Sequence, residues 1–324
     1  MACAVGGRLA ASVWPYVQVA RPDHWFKNVF MLPGSLLVLN ATAGFSDPAL
    51  AWRIPLALVA ACLVASSYYV LNDILDAPFD ARHPVKRGRP IPSGRVRLPI
   101  AYAEWVVLAA AGFGMATLIG GRFLLTIVAL WLMSLAYNVR PIRAKDQTYL
   151  DVLVEAVNNP LRLAMGWYAT GTTLAVPLSI ALAFWMLGGF FMAVKRFAEY
   201  RHLADRGRAA AYRASFRGYT EERLLVLAVF CAVAFGLFLG IFLIRYRIEL
   251  LLIVPFVAGL IAWYIHLGFR TDSPTRDPEQ LYREPYFMAF IVVCVLVGLL
   301  ALNVDLPWLR ELFRPTAILD AGGG

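Results

Sequence analysis

Long apolar runs recur from one end of the chain to the other, and they restrict its fold more than any other feature. Of the 324 residues, 60% are hydrophobic and only 16% carry a charge, and the mean hydropathy is +0.64. Runs of about 20 apolar residues are long enough to span a bilayer as helices. The sequence therefore predicts an all-α integral membrane protein and argues against a soluble helical domain.

The apolar runs predict about nine transmembrane helices in one bundle. Their approximate bounds are 29–45, 50–72, 98–118, 122–138, 149–170, 175–197, 223–243, 248–268 and 285–304. Most of the 30 lysines and arginines fall on one predicted side, which the positive-inside rule assigns to the cytoplasm. We therefore expect a multi-pass protein of the cell inner (plasma) membrane with a cytoplasmic N-terminus. Residues 1–28 are expected to form an interfacial segment, without a signal peptide.

Three carboxylates lie where the second apolar run ends. Asp73, Asp76 and Asp80 are spaced i, i+3, i+7, so they share one face of a helix. Magnesium in proteins commonly takes one or two carboxylates together with substrate phosphates. The pattern predicts that these three residues hold Mg²⁺ on a diphosphate and are catalytic, with Asn72 orienting it. A solvated helix end is the alternative interpretation, but every part of this stretch has a role in binding a metal-diphosphate.

The stretch from Asn72 to Gly94 reads Asn-Asp-x-x-Asp-x-x-x-Asp, and then His-Pro-x-Lys-Arg-x-Arg-Pro-Ile-Pro-Ser-Gly. It resembles the first signature of the UbiA-type intramembrane prenyltransferase superfamily. The resemblance implies one transmembrane catalytic domain over 1–324, a UbiA-like bundle with a cytoplasmic-facing polar cavity. The segments 76–97, 139–148 and 197–222 would be its cytoplasmic active-site loops. It also implies that Tyr137 and Lys145 face the diphosphate. Lys86 and Arg87 belong to the basic run that follows the acidic row, and we expect them to neutralise the charge of the leaving group together with Lys145.

Two further stretches are similar to one branch of that superfamily, the decaprenyl-phosphate phosphoribosyltransferases. The first is Arg-Pro-x-x-Trp-x-Lys-Asn, which begins at Arg21 and includes Lys27. An interfacial anchor and a phosphate-binding role are both open for these two cations. The second is Lys-Arg-x-x-Glu, which contains Lys195, Arg196 and Glu199. The wider superfamily carries a second acidic cluster there, whereas one acid beside two cations suits one metal and more phosphate.

Four polar residues recur along the predicted span 149–170. Asp151, Glu155, Asn158 and Arg162 are spaced 0, 4, 7 and 11, which places them on one face of a continuous helix. Charged groups within a membrane usually face protein or a water-filled cavity and mark function. We expect these side chains to bind ribose hydroxyls or to orient the metal site. A structural ion pair, such as Glu155 with Arg162, is the alternative.

Two reactions of the superfamily fit these features. One is Mg²⁺-dependent transfer of 5-phosphoribose from phosphoribosyl pyrophosphate to a polyprenyl phosphate such as decaprenyl phosphate, for cell-envelope arabinose precursors. The other moves an isoprenyl group from its diphosphate to an aromatic or other acceptor. The excess of cations favours the first reaction, and an ionised phosphate nucleophile needs no general base. A transporter or lipid-binding membrane protein is the alternative of another class, and the clustering of charges at one membrane face argues against it.

The expected partners are phosphoribosyl pyrophosphate, a polyprenyl phosphate and the membrane itself, with no nucleic acid. A homo-oligomer is compatible with the sequence. The four cysteines, Cys3, Cys62, Cys231 and Cys294, are not at metal or redox spacing. We expect them to be packing residues.

Overall fold

The computed structural model describes residues 13–42, 44–81, 86–203 and 205–313, and it contains no strand in these ranges. The secondary structure is helical throughout, which confirms the all-α prediction. A ten-residue 3-10 segment, Pro22–Met31, joins the first two helices. The helices are α1 (13–20), α2 (Leu32–Thr42), α3 (Leu50–Asp80), α4 (Leu98–Ile119), α5 (Gly121–Asn138), α6 (Leu150–Ala156), α7 (Asn158–Ala169), α8 (Leu178–Leu203), α9 (Arg206–Tyr212), α10 (Glu221–Tyr246), α11 (Val254–Phe269), α12 (Pro285–Asn303) and α13 (Pro307–Leu312).

Seven helical segments of the described ranges are long and apolar enough to cross a membrane. They are Leu50–Asp80, Leu98–Ile119, Gly121–Asn138, Leu178–Leu203, Glu221–Tyr246, Ile248–Phe269 and Pro285–Asn303. The other two predicted spans are built from shorter pieces: 29–45 from the 3-10 segment and α2, and 149–170 from α6 and α7. The chain is thus a multi-pass membrane protein, and the count of nine crossings stays a prediction.

The polar stripe predicted on one helix lies instead on two, because the helix breaks at Val157 between α6 and α7. Pro160 explains the break, since it has no N–H to donate to the carbonyl of Ala156 and its ring crowds that carbonyl. The Ala156 oxygen instead accepts a bond from Asn159 Nδ2 at 3.4 Å.

Helix α3 has 31 residues, so it is roughly 46 Å long. A bilayer core is only about 30 Å thick. Asp73, Asp76 and Asp80 occupy the last turns of α3, where the excess length can carry them out of the hydrocarbon.

Contacts divide the chain into two compact units. The first comprises Met1–Val176 and Asp205–Tyr219, and the second comprises Pro177–Ala204 and Thr220–Gly324. Cys3 lies outside the described residues, as do the first twelve residues and 314–324. Cys231 and Cys294 are buried among apolar neighbours, and Cys62 is half-buried.

Helices α2 and α7 of the first unit touch backbone to backbone. A Cβ at Gly34 would overlap the carbonyl oxygen of Leu163, and one at Gly166 would overlap that of Met31. The hydroxyl of Ser35 donates to the Gly166 carbonyl at 2.7 Å. Small residues allow such close approach of membrane helices, whose association gains little from the hydrophobic effect. This crossing fixes the chain that follows Arg21 against the helix that carries Arg162.

In the second unit, α10 keeps an apolar stripe on the protein surface, formed by Val226, Phe230, Val233, Leu237 and Ile241. The residues of its opposite face are buried, among them Leu224 and Ala228. An exposed stripe of this kind is what a lipid-facing helix requires.

Candidate active site

Cations from two other segments hold two of the three carboxylates at the end of α3. Asp73 and Asp80 are 3% and 6% exposed. Asp73 Oδ1 lies 2.5 Å from Arg21 Nη2. Arg89 Nη1 lies 2.7 Å from Asp80 Oδ2 and 3.6 Å from Asp73 Oδ1. One guanidinium nitrogen is therefore shared by two carboxylates that are about two turns apart along the helix.

Asp76 has a separate pair of cations. Its Oδ1 lies 2.6 Å from Lys145 Nζ and 3.0 Å from Arg143 Nη2. The Lys145 ammonium also donates to Asn72 Oδ1 at 2.9 Å and to Asn138 Oδ1 at 3.0 Å. An ammonium has three protons to donate, so Lys145 uses its full capacity on these oxygens.

The helix geometry explains why the cations form two groups. At about 100° per residue, Asp73 and Asp80 project within about 20° of each other, whereas Asp76 projects about 60° to one side. Arg21 and Arg89 therefore approach from one side of the acidic row. Arg143 and Lys145 approach from the other.

Two of the three arginines that contact the acidic row have unusual backbones. Arg21 has φ 49° and Arg143 has φ 35°, both in the left-handed region. This conformation costs a residue with a Cβ about 1–2 kcal/mol. Strained backbone persists where its surroundings over-determine it, and it concentrates at functional sites.

Two lysines of the loops, the buried Lys145 and the half-buried Lys86, have shifted pKa values. Burial lowers the pKa of Lys145, and the Asp76 carboxylate partly opposes that change. Burial also lowers the pKa of Lys86, against the opposing effect of Asp80. The Lys86 ammonium lies 5.2 Å from the centre of the Tyr212 ring, which is a cation–π contact.

Asp151 is fully buried and anchors the segment 205–219. It accepts from Tyr219 OH at 2.7 Å and from Ser215 Oγ at 3.0 Å, and Arg213 Nε lies 3.5 Å away. Arg213 also donates from Nη2 to the hydroxyl of Tyr137 at 2.9 Å. Through these contacts, Asp151 and Tyr137 fix the position of Arg213 in the first unit.

The other polar residues of the broken helix have different surroundings. Arg162 is 6% exposed, and it donates to Asn28 Oδ1 and to Tyr68 OH, both at 3.3 Å. Asn158 is buried, whereas Glu155 is half-buried. These contacts connect α7 to α3 and to the 3-10 segment.

The remaining predicted residues have contacts of their own. Lys27 lies 6.0 Å from the ring of Phe26, as an interfacial anchor would, and Arg87 is exposed. Lys195, Arg196 and Glu199 belong to the second unit, where Arg196 Nη1 lies 2.8 Å from Glu199 Oε2. The structure thus brings together Asn72, Asp73, Asp76, Asp80, Lys145 and Arg21, and it adds the segment with Arg213.

Three cations of the site were not among the predicted residues: Arg89, Arg143 and Arg213. Arg89 and Arg143 lie in basic loops, so their charge was visible in the sequence. What separates them from exposed neighbours such as Arg140 is their contact with the acidic row. That contact depends on how each loop turns, and the spacing of residues in the sequence does not predict it.

The acidic row offers carboxylate oxygens, which are ligands of the kind that Mg²⁺ takes. No group of three His, Cys, Asp or Glu side chains is placed to hold a metal within the ranges that the structure describes. However, Asp73 and Asp80 converge on one cationic nitrogen, which shows that their oxygens can face a common positive centre. Two carboxylates completed by phosphate oxygens form a normal magnesium environment. The residues therefore fit Mg²⁺ bound with a phosphorylated substrate.

Comparisons with known proteins assign the chain to a family. The profile of the UbiA prenyltransferase family matches residues 29–291. The chain belongs to the UbiA prenyltransferase family. Members of this family are transferases, and the chain is accordingly an enzyme.

Several relatives within the UbiA family carry functional names. The chain is 32% identical to the decaprenyl-phosphate phosphoribosyltransferase of Mycobacterium tuberculosis (strain H37Rv), over 69% of this chain and 72% of that protein. It is also 32% identical to nodulation protein NoeC of Azorhizobium caulinodans, over 68% of this chain and 67% of that protein. A UbiA homologue from Archaeoglobus fulgidus, bound to GPP and Mg²⁺, has the same fold. That structure has a TM-score of 0.67 and 19% identity, and covers 90% of this chain and 100% of its own.

Proposed function

We propose that this enzyme transfers 5-phosphoribose from phosphoribosyl pyrophosphate to a polyprenyl phosphate such as decaprenyl phosphate, and releases pyrophosphate. The observation that carries the proposal is the excess of cations around the acidic row. Arg21, Arg89, Arg143 and Lys145 contact three carboxylates, with Lys86 and Arg213 close by. A donor with three phosphate groups and an acceptor with a fourth need this surplus. The names of the mycobacterial relatives support the same reaction.

The acidic row holds the donor in this proposal. Mg²⁺ would be held by Asp73 and Asp80, with Asp76 beside them, and when bound it neutralises charge that develops on the leaving pyrophosphate. Lys145 and Arg143 would turn from Asp76 towards the pyrophosphate oxygens. Electrostatic stabilisation by preorganised donors is usually the largest catalytic contribution. No general base is required, because the attacking phosphate oxygen is already ionised near neutral pH.

Other predicted residues keep proposed binding roles. Asp151, Glu155 and Arg162 are candidates for the ribose hydroxyls, with Asp151 acting through Tyr219, Ser215 and Arg213, since the structure shows its oxygens engaged with them. Lys195 and Arg196 are candidate phosphate ligands, and Glu199 pairs with Arg196.

Prenyl transfer to an aromatic or other acceptor is the second candidate, and the geranyl diphosphate in the archaeal neighbour favours it. It needs fewer cations, and an aromatic acceptor needs an activating base. We place the enzyme in the plasma membrane with its N-terminus and site cytoplasmic, as one catalytic domain that supplies cell-envelope arabinose precursors.

A paired assay on purified protein tests this proposal. One reaction contains labelled phosphoribosyl pyrophosphate, decaprenyl phosphate and Mg²⁺, and the other contains a prenyl diphosphate and 4-hydroxybenzoate. We expect label in the lipid phase of the first reaction only, and its loss with EDTA. Product in the second reaction only would replace the proposal by prenyl transfer. Asp76→Asn should abolish turnover while the protein stays folded, and full activity of that variant would refute the site.

A further inference from the structure

A cavity of about 660 Å³ opens beside the acidic row on the Arg21 side. Asp73, Arg21 and Arg89 line it, and so does Arg95, a residue of the predicted loop 76–97 that was given no individual role. Helix α1 contributes Trp14, Val17 and Gln18 to the wall, and the polar side chains of Asp23 and His24 also line the cavity. The cavity thus joins a cationic wall to an apolar one.

Helix α1 is held in place by its opposite face. Val19 is fully buried and packs in a cluster with Val70, Ile74 and Val96. The hydroxyl of Tyr16 accepts a bond from the backbone N–H of Arg97 at 3.2 Å. Trp14 and Val17 are left on the surface, 60% and 37% exposed. Exposed tryptophan and apolar side chains at a membrane–water interface can contact the acyl chains of lipids.

The cationic wall is built by the loop after α3. Arg95 donates from Nη2 to the Gly88 carbonyl at 2.7 Å and from Nε to Ser93 Oγ at 3.0 Å. These bonds hold the exposed guanidinium on the loop beside Arg89. Arginine is suited to phosphate because its planar fork can donate two parallel bonds.

We propose that this cavity binds the phosphate headgroup of a single-chain polyprenyl phosphate, the acceptor of the reaction, with Arg21, Arg89 and Arg95 on the phosphate and Trp14 on the first chain carbons. This assignment rests on the proposed function. Phosphoribosyl pyrophosphate has no apolar part, so it would gain nothing from the apolar side chains that lie beside the three arginines. The lipid acceptor has both parts.

The acidic row has separate groups of cations, and the proposal assigns one group to the lipid phosphate and the other to the pyrophosphate. Arg143 and Lys145 contact Asp76, which does not line the cavity, and would receive the pyrophosphate. An oxygen of the lipid phosphate supplies the electron pair that forms the new bond to the anomeric carbon. The electrons of the breaking carbon–oxygen bond leave with pyrophosphate, and no proton is transferred. In-line displacement requires nucleophile and leaving group on opposite faces of that carbon, and the separate cations of Asp73 and Asp76 would receive one each.

Photo-crosslinking of the full-length protein in nanodiscs tests the assignment without a donor. The probe is a polyprenyl phosphate that carries a diazirine near its phosphate. We expect labelled peptides from 13–24 or 88–95, and competition by unlabelled geranylgeranyl phosphate. Equal concentrations of inorganic phosphate and of phosphatidic acid should compete far less. Equal competition by phosphatidic acid would make the cavity a general phospholipid site and overturn the acceptor assignment, as would labelling elsewhere.

Matched variants test the two walls. Arg95→Gln should raise KM for the acceptor about tenfold or more, as expected for a lost bond to a charged group, with the donor KM little changed. Arg97→Gln, which removes an exposed arginine two residues away, should change neither. Trp14→Ala should weaken crosslinking, whereas Trp308→Ala, at the same 60% exposure, should not. Equal effects within either pair would overturn the inference.

Failure of this inference can be separated from failure of the proposed function. Phosphoribosyl transfer with crosslinks outside the cavity would leave the reaction standing and remove the acceptor site. Crosslinks in the cavity without phosphoribosyl transfer would keep the lipid phosphate site and remove the donor.

Discussion

Replacement of Lys145 by methionine is the sharpest test of the acidic row. Lys145 is 8% exposed and donates to Asp76, Asn72 and Asn138 over 2.6–3.0 Å. Loss of a bond to a charged group costs about 1.5–3 kcal/mol. Two effects reduce the cost: Arg143 remains on Asp76 at 3.0 Å, and the buried ammonium is itself disfavoured, as the lowered pKa of Lys145 shows. We expect a net loss of about 1–3 kcal/mol in the free energy of unfolding.

The effect on catalysis should be larger than the effect on stability. If Lys145 stabilises the leaving pyrophosphate, its loss removes one preorganised electrostatic donor. Such a loss typically lowers kcat by about 10²–10³-fold. The assay is kcat/KM for transfer of label into the lipid phase, with thermal unfolding followed in parallel on the same preparation.

Two controls make the result interpretable. Arg140→Met removes an exposed cation from the same loop and should leave both kcat/KM and the melting temperature unchanged. Lys145→Arg keeps the charge and should recover part of the activity. The reasoning is refuted if Lys145→Met retains kcat/KM within about threefold of the wild type, or if Arg140→Met loses as much.

Three further predictions concern packing, pH and the anchored segment. Gly166→Ala should lower the free energy of unfolding by about 1–3 kcal/mol through overpacking, whereas Gly114→Ala, whose Cβ meets no atom within 4 Å, should not lower the melting temperature. Because burial lowers the pKa of Lys86, its charge is lost at a lower pH than that of an ordinary lysine. Donor KM should therefore rise with pH, and Lys86→Arg should remove that rise. Asp151→Asn should increase hydrogen exchange in 205–219; unchanged exchange would contradict the anchor.

The sequence predicted those features that depend on local pattern. Apolar run length is sufficient to identify membrane helices, and the i, i+3, i+7 spacing is sufficient to place three carboxylates on one face. It failed where one residue changes the local geometry: Pro160 divides a predicted span, so the expected stripe lies on two helices. It could not assign partners across the chain, such as Asp151 with Tyr219, because those contacts depend on how distant segments pack.

The arginines illustrate the same limit at the site. Arg89, Arg95 and Arg97 are the same type of residue and lie within one stretch of nine residues. Only the turn of the loop directs Arg89 at Asp73 and Asp80, and Arg95 at the loop carbonyl. A positive backbone φ at Arg21 likewise aims it at Asp73, and no sequence signal marks that conformation.

The pairing of acids with cations also constrains the order of binding. Arg89 holds two buried carboxylates through a side chain that is 30% exposed, so when Mg²⁺ takes those carboxylates the guanidinium is left to pair with an incoming anion. A metal ion alone brings no such anion, whereas the lipid phosphate proposed for the adjoining cavity does. Arg89 should therefore couple binding of Mg²⁺ to binding of the lipid phosphate. Calorimetric titration of Mg²⁺ with and without geranylgeranyl phosphate should show tighter binding in the mixture, and Arg89→Ala should reduce that difference. Independent binding of the two ligands would contradict this coupling.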